Sequence, residues 1–176
     1  MNIVLTGYRC SGKTTVGKLL ARDLGRRFVD TDRIIEERIG NSIDGFVSVN
    51  GWEKFREIER EIVSDIASQD NLIIATGGGV VTEPENITNL RKNGWVVWLQ
   101  VDPETIRDRM DKDVHSVGAR PSLSGEGSLN EIEEILKERS DLYAGSSDHR
   151  LTTDDVSPVE AAEAIGAVYG SQLSVI

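Results

Sequence analysis

A single cysteine, Cys10, means that the chain can close no internal disulfide, which fits a reducing compartment. Positive charge is also scarce: 20 Lys and Arg stand against 30 Asp and Glu, a formal net charge of −10. That balance argues against non-specific binding to nucleic acid or to an anionic membrane. It also means that the basic residues needed by any phosphate ligand must be gathered locally. The N-terminal apolar run, Ile3-Val4-Leu5, is far too short for a signal peptide or a membrane span. A cytoplasmic protein is the expectation. His115 and His149 have no Cys or His neighbours at metal-ligand spacing, so neither is a metal candidate. Asn-Lys-x-Asp and Asp-x-x-Gly, the signatures of a regulatory GTPase, are both missing. No internal repeat or linker divides the 176 residues, so one domain spanning 1–176 is expected.

Against these absences stands one unbroken pattern, Gly7-Tyr8-Arg9-Cys10-Ser11-Gly12-Lys13-Thr14, a G-x-x-x-x-G-K-T. It follows the apolar run 3–5 and opens into Val16, Leu19, Leu20 and Leu24, which have helical spacing. A strand, a Gly-rich loop and a helix in that order aim backbone N–H groups and the positive end of a helix dipole at a polyphosphate. Lys13 is expected to reach the β- and γ-phosphates and the Thr14 hydroxyl to sit on Mg²⁺. Gly7, Arg9, Cys10, Ser11, Gly12 and Thr15 complete the expected nucleotide cradle. Cys10 occupies a variable position of the pattern and reads as filler rather than as a redox centre.

Downstream, strand-like runs alternate with helical ones. Strands are expected at 2–6, 27–31, 72–76, 95–101 and 149–153. Helices are expected at 13–24, 32–39, 52–68, 84–93, 103–112, 130–143 and near 158–169. Pro84 and Pro103 suit a first helical turn, and Ser157-Pro158 with Glu160 reads as a capped start. Trp95 to Val101 is nearly continuous in apolar character, as in a parallel strand covered on both faces, and Trp95 and Trp98 read as core. The alternation predicts an α/β fold: a parallel sheet with helices on both sides. The stretch 122–128 is rich in Gly and Ser and reads as a lid or a surface loop.

Ligands of open α/β sheets sit beyond the carboxyl ends of the strands. Asp30 and Asp32 close the second strand, and strand alternation would point both the same way, one to Mg²⁺ and one to an acceptor hydroxyl. Ordinary turn or capping aspartates would give the same pair. The third strand ends in Thr76-Gly77-Gly78-Gly79, where a ligand could approach the backbone closely. A plain flexible turn would also explain the three glycines. Arg56 and Glu59 share a helix one turn apart, as in a guanidinium held for a ligand or in a solvated charged face.

Taken together the chain resembles shikimate kinases. The resemblance is carried by the P-loop, Asp30-Thr31-Asp32 with Ile35-Glu36, Phe55-Arg56-x-x-Glu59 and Thr76-Gly77-Gly78-Gly79-Val80-Val81. Arg120-Pro121-x-Leu123 and Glu138-Arg139-x-x-Leu142-Tyr143 complete it. It implies a three-layer P-loop kinase fold with a five-stranded parallel sheet in the order 2-3-1-4-5, a substrate-binding region at about 31–62 and a mobile lid at about 112–128. The implied reaction is phosphorylation of the 3-hydroxyl of shikimate by ATP with Mg²⁺, in aromatic amino-acid biosynthesis. It further implies that Arg56 and Arg139 grip the shikimate carboxylate, that Asp32 bonds the acceptor hydroxyl and that Asp30 serves the Mg²⁺ site. Gly77, Gly78 and Gly79 would offer backbone donors, the last two above all. Arg120 would swing in on the transferring phosphoryl, and Arg109 would stack on adenine. The implied working unit is a monomer with no nucleic-acid or membrane partner.

Two departures fall at the acceptor end. The family's usual Ser-Ile-x-x-Ile-Phe is here Ser42-Ile43-Asp44-Gly45-Phe46-Val47, so Val47 replaces an aromatic unless Phe46 takes its place. The usual Gly-Glu before Phe-Arg is Gly51-Trp52, an indole for a carboxylate beside Arg56. A gluconate kinase or a nucleoside monophosphate kinase of the same fold is the nearer competitor. A catalytically dead binding module is the other, and it should have lost Lys13, Asp32 or one of the arginines.

Overall fold

The computed structural model describes residues 1–112 and 129–173; the side chains of the last two of these are not described. Five strands, β1 (Asn2–Thr6), β2 (Arg27–Asp30), β3 (Leu72–Ala75), β4 (Gly94–Gln100) and β5 (His149–Thr152), form one parallel sheet ordered β2-β3-β1-β4-β5. Among the described residues seven helices join and cover them: α1 (Lys13–Leu24), α2 (Thr31–Ile39), α3 (Ile43–Ala67), α4 (Pro84–Lys92), α5 (Pro103–Lys112), α6 (Leu129–Ser146) and α7 (Pro158–Leu173). A short 3₁₀ turn, Val80–Thr82, precedes α4.

Strand periodicity divides the core into two layers. Val4, Ile74, Val96 and Trp98 pack against α3, α4 and Tyr143 of α6 on one face. Their neighbours in sequence, Ile3, Leu5, Ile73, Trp95, Val97 and Leu99, pack against α1 and α7 on the other. Residues one apart on a strand thus serve opposite layers, which is why the central strands are apolar throughout. A smaller cluster of Tyr8, Val101, Ile106, Ile132 and Ile135 lies under the P-loop, between α5 and α6. Helix α1 lies close to the sheet because residue 17 is glycine: a Cβ there would stand 2.5 Å from the Phe28 ring of β2.

Among the described residues, side chains close the starts of α2, α3, α5 and α7, with Asp102 accepting from the Thr105 N–H at 2.7 Å at the start of α5. Asp30 caps α2 and Ser42 caps α3. Ser157 and Glu160 exchange reciprocal bonds at the start of α7. Helix α1 differs: its N-cap is Gly12 in the left-handed region, with no side-chain cap bond and no acidic residue in the first turn. Its first N–H groups are thus left for an external acceptor. The sheet order makes β1 the strand where the winding reverses, flanked by β3 and β4. Loops leaving β1, β3 and β2 meet at that end, as the topology of such sheets requires.

Candidate active site

The donor side is built by the loop after β1. Gly7 has φ +138, and a Cβ there would lie 2.5 Å from the Leu99 carbonyl oxygen, so the tight turn off β1 admits only glycine. Lys13 is nearly buried, and its ammonium donates to the Tyr8 carbonyl at 2.6 Å and to Ser11 Oγ at 3.2 Å. The Thr14 hydroxyl donates to Asp30 Oδ2 at 2.8 Å. These two oxygens suit a small hard cation that takes few protein ligands and keeps its waters and phosphate oxygens. Among the described residues no cluster of three or more His, Cys, Asp or Glu could hold a metal by itself. Cys10, Ser11, Gly12, Thr15 and Arg109 line the cavity beside Lys13 and Thr14. Arg109 donates to the carbonyls of Cys10 and Thr153, which ties α5 and the end of β5 to the P-loop.

A second cavity opens on the other side of the loop, walled by α3, the glycine turn and α6. Asp32, Arg56, Arg139 and Gly77 to Gly79 all line it. Arg56 is paired with Glu59, and the pair is largely sealed, with side-chain exposures of 16% and 1%. Burial pushes the Glu59 carboxyl above its ordinary value, and the Arg56 guanidinium only partly offsets that. Glu59 Oε2 also accepts from Asn86 Nδ2, whereas Oε1 is buried with no hydrogen-bond partner among the described residues. This is a buried pair, not a solvated charged face.

The three glycines differ in what they do. A Cβ on Gly77 would stand 2.6 Å from Asp32 Oδ1, and one on Gly79 would stand 2.9 Å from Arg56 Cζ. Any side chain at either position would displace an acceptor-site group. The Gly77 N–H donates to Thr31 Oγ1 at 3.1 Å and is thus already engaged within the chain. Gly78 is less constrained: its nearest neighbours to a Cβ lie at 3.5 Å, in the P-loop backbone.

Several expectations change. Asp30 and Asp32 are not neighbours along one strand face. Asp30 ends β2 and caps α2 by accepting from the Asp32 N–H at 3.2 Å, which leaves Asp32 in the first helical turn. The separation of the two carboxylates therefore comes from a strand-to-helix turn, not from strand alternation. Arg9, expected with the nucleotide, lines the cavity of Asp32 and Arg56 beside Tyr8, its Nε buried without a partner among the described residues. Val47 is 7% exposed in the main core and Phe46 packs against that same core. Neither lines the cavity; Trp52 and Phe55 supply its aromatic wall, with Arg56 Cζ 5.6 Å and 5.1 Å from their ring centroids. Arg120 and nearly all of the expected lid lie outside the described residues.

Sequence reasoning gave no role to Glu131, a buried acid in the first turn of α6 that lines the same cavity. Nothing in its local pattern distinguishes it from the acids around it. Tyr8 was read only as a loop residue, yet it too lines the acceptor side. Burial raises its phenol above the ordinary value, with Arg9 pulling the other way.

A P-loop opening an uncapped helix, with a separate cavity of arginines and a carboxylate beside it, defines a P-loop phosphotransferase acting on a small acidic acceptor. The family model described as shikimate kinase matches residues 9–169. A shikimate kinase of Symbiobacterium thermophilum is 44% identical over 155 residues, covering 88% of this chain and 87% of that protein. One of Syntrophus aciditrophicus is 41% identical, covering 97% and 92%. The structure of the Acinetobacter baumannii shikimate kinase in complex with shikimate superposes with a TM-score of 0.90 at 32% identity, over 97% of this chain and 93% of that one. The chain belongs to the shikimate kinase family. Its reaction is the ATP-dependent phosphorylation of shikimate, with Mg²⁺, in aromatic amino-acid biosynthesis. A gluconokinase of Sinorhizobium meliloti, at a TM-score of 0.59 and 14% identity, shares the fold alone.

Proposed function

We propose that the two cavities divide the reaction between them, with ATP on the Lys13–Thr14 side of the loop and shikimate on the Asp32–Arg56–Arg139 side. The observation that carries this reading is the convergence of Asp32, Arg56, Arg139 and the glycine turn on one cavity that shares the P-loop as a wall. Two guanidinium forks suit a compact carboxylate, and Glu59 holds the Arg56 fork in place. Asp32 accepts the proton of the 3-hydroxyl as its oxygen bonds to the γ-phosphorus and the bridging bond to ADP breaks. Lys13 exchanges its two loop acceptors for phosphate oxygens. Gly78 and Gly79 offer N–H donors to the acceptor.

Thr14 and Asp30 would hold Mg²⁺, which would supply positive charge to the phosphate oxygens. Cys10, Ser11, Gly12, Thr15 and the Gly7 turn shape the cradle, and Arg109 flanks the base. Arg120 is assigned to the transferring phosphoryl group by sequence alone, as is the lid at about 112–128. Arg9 sits where it adds positive charge to the acceptor cavity rather than to the nucleotide. The working unit is a cytoplasmic monomer without nucleic-acid or membrane partners; no helix among the described residues is long and apolar enough to cross a membrane.

The test is ADP release from MgATP with shikimate, gluconate and a set of nucleoside monophosphates in parallel. Turnover with shikimate alone is expected. Turnover with gluconate or a nucleotide in its place would overturn the assignment of the acceptor cavity.

A further inference from the structure

The Arg139-x-x-Leu142-Tyr143 stretch supplies an arginine to the acceptor cavity, but its tyrosine has no part in the chemistry derived above. Tyr143 is fully buried on α6, with its ring stacked on Trp98 of β4 at 5.7 Å between centroids and 17° between planes. Its hydroxyl donates to the carbonyl oxygen of Gly78. A trans peptide is planar, with its C=O and N–H directed oppositely. Holding the Gly78 oxygen therefore fixes the direction of the Gly79 N–H, away from Tyr143. Gly79 itself lies against Arg56. Arg139 precedes Tyr143 by four residues, one turn earlier on the same face of α6. The bond that holds the glycine turn thus also sets the depth at which α6 presents Arg139.

Two adjacent glycines have no side chains to pin them and a wide choice of φ and ψ. Local bonds close the turn, from the Val80 N–H to the Gly77 carbonyl and from Thr82 to the Gly79 carbonyl, and the Tyr143 hydroxyl adds a bond from α6 to the Gly78 carbonyl between them. We infer that Tyr143 is a positioning residue for the acceptor. It holds the Gly78–Gly79 peptide so that the Gly79 N–H is offered to shikimate, and it locks α6 in the register that brings Arg139 to the carboxylate. This inference rests on the placement of shikimate proposed above.

Tyr143→Phe keeps the ring on Trp98 and removes only the hydroxyl. Steady-state kinetics in both substrates, run beside the wild type, should show KM for shikimate raised roughly tenfold or more, with KM for ATP held within about twofold. A purely structural hydroxyl would lower the melting temperature and leave the shikimate KM where it was; that result overturns the inference, as does an equal rise in both KM values. If the Phe variant fails to fold, 3-fluorotyrosine placed at position 143 keeps the shape and alters only the acidity of the donor. It should shift the shikimate KM selectively, and no shift overturns the inference. A wild-type enzyme inert toward shikimate would sink the acceptor assignment instead. Tyr143 would then be judged by the same comparison on the acceptor that the wild type does use.

Discussion

Glu59 places a carboxyl where water hardly reaches it, with one oxygen unpartnered among the described residues. Burial raises its carboxyl above 4.5, so between that value and the raised one the folded state holds more protons than the unfolded state. Stability from this group is therefore present below 4.5 and is lost as pH rises through the folded value. Denaturant titrations at a series of pH values should show this decline in the wild type and its absence in Glu59→Gln; parallel curves would assign the slope to another group. Asp32→Asn should lower kcat by ~10²–10⁴ and leave ATP binding, measured by calorimetry, largely intact. Normal turnover would remove Asp32 from the acceptor hydroxyl. At this scale the sequence was legible where several residue types had to coincide, as in the P-loop and the Arg56–Glu59 spacing. It was not legible for Arg9 and Glu131, whose place in the cavity is set by how a loop and a distant helix meet. It misled at Asp30 and Asp32, because the local bond from the Asp32 N–H to Asp30 starts a helix where strand alternation was assumed.

Helix α3 shows why element boundaries follow different rules from element existence. The sequence predicted a helix from 52, and the structure places a helical turn sequence from Ile43 to Ala67 with a break at Gly51. Gly51 has φ 80 and ψ 165, a conformation available essentially to glycine alone, so the helical period restarts there and the first half escapes a periodicity search. That break lets the segment bearing Trp52, Phe55 and Arg56 leave the line of the first half. A Cβ on Gly51 would meet nothing within 4 Å, so the cost of Gly51→Ala is confined to the backbone. We expect a loss of about 1–3 kcal/mol in denaturant unfolding, together with a raised KM for shikimate and an unchanged KM for ATP. A variant as stable as the wild type would mean that the kink relaxes without strain. The strands at 2–6 and near 72–75 were readable from their apolar runs. The last residue was overestimated by one at β2, β3, β4 and β5, where pairing stops before the ligand-side turns begin.

For the molecule as a whole, alternating strands and helices gave the layers, whereas the sheet order followed from the family resemblance and not from any local signal. Position in that order is what brings three loops, distant in sequence, to one edge. Shikimate should stabilise the folded chain by about 2.7 kcal/mol at a hundred times its Kd, read as a shift of the denaturation midpoint. Arg139→Lys should lose most of that shift at the same concentration, and retention of it would place the carboxylate elsewhere. The P-loop is the party wall of the two cavities: Tyr8 and Arg9 face one, and Cys10 to Val16 line the other. A wall shared in this way cannot be moved by one tenant unnoticed by the other. Whatever factor ATP applies to the affinity for shikimate, shikimate must apply equally to the affinity for ATP, because the coupling belongs to the wall and has no direction.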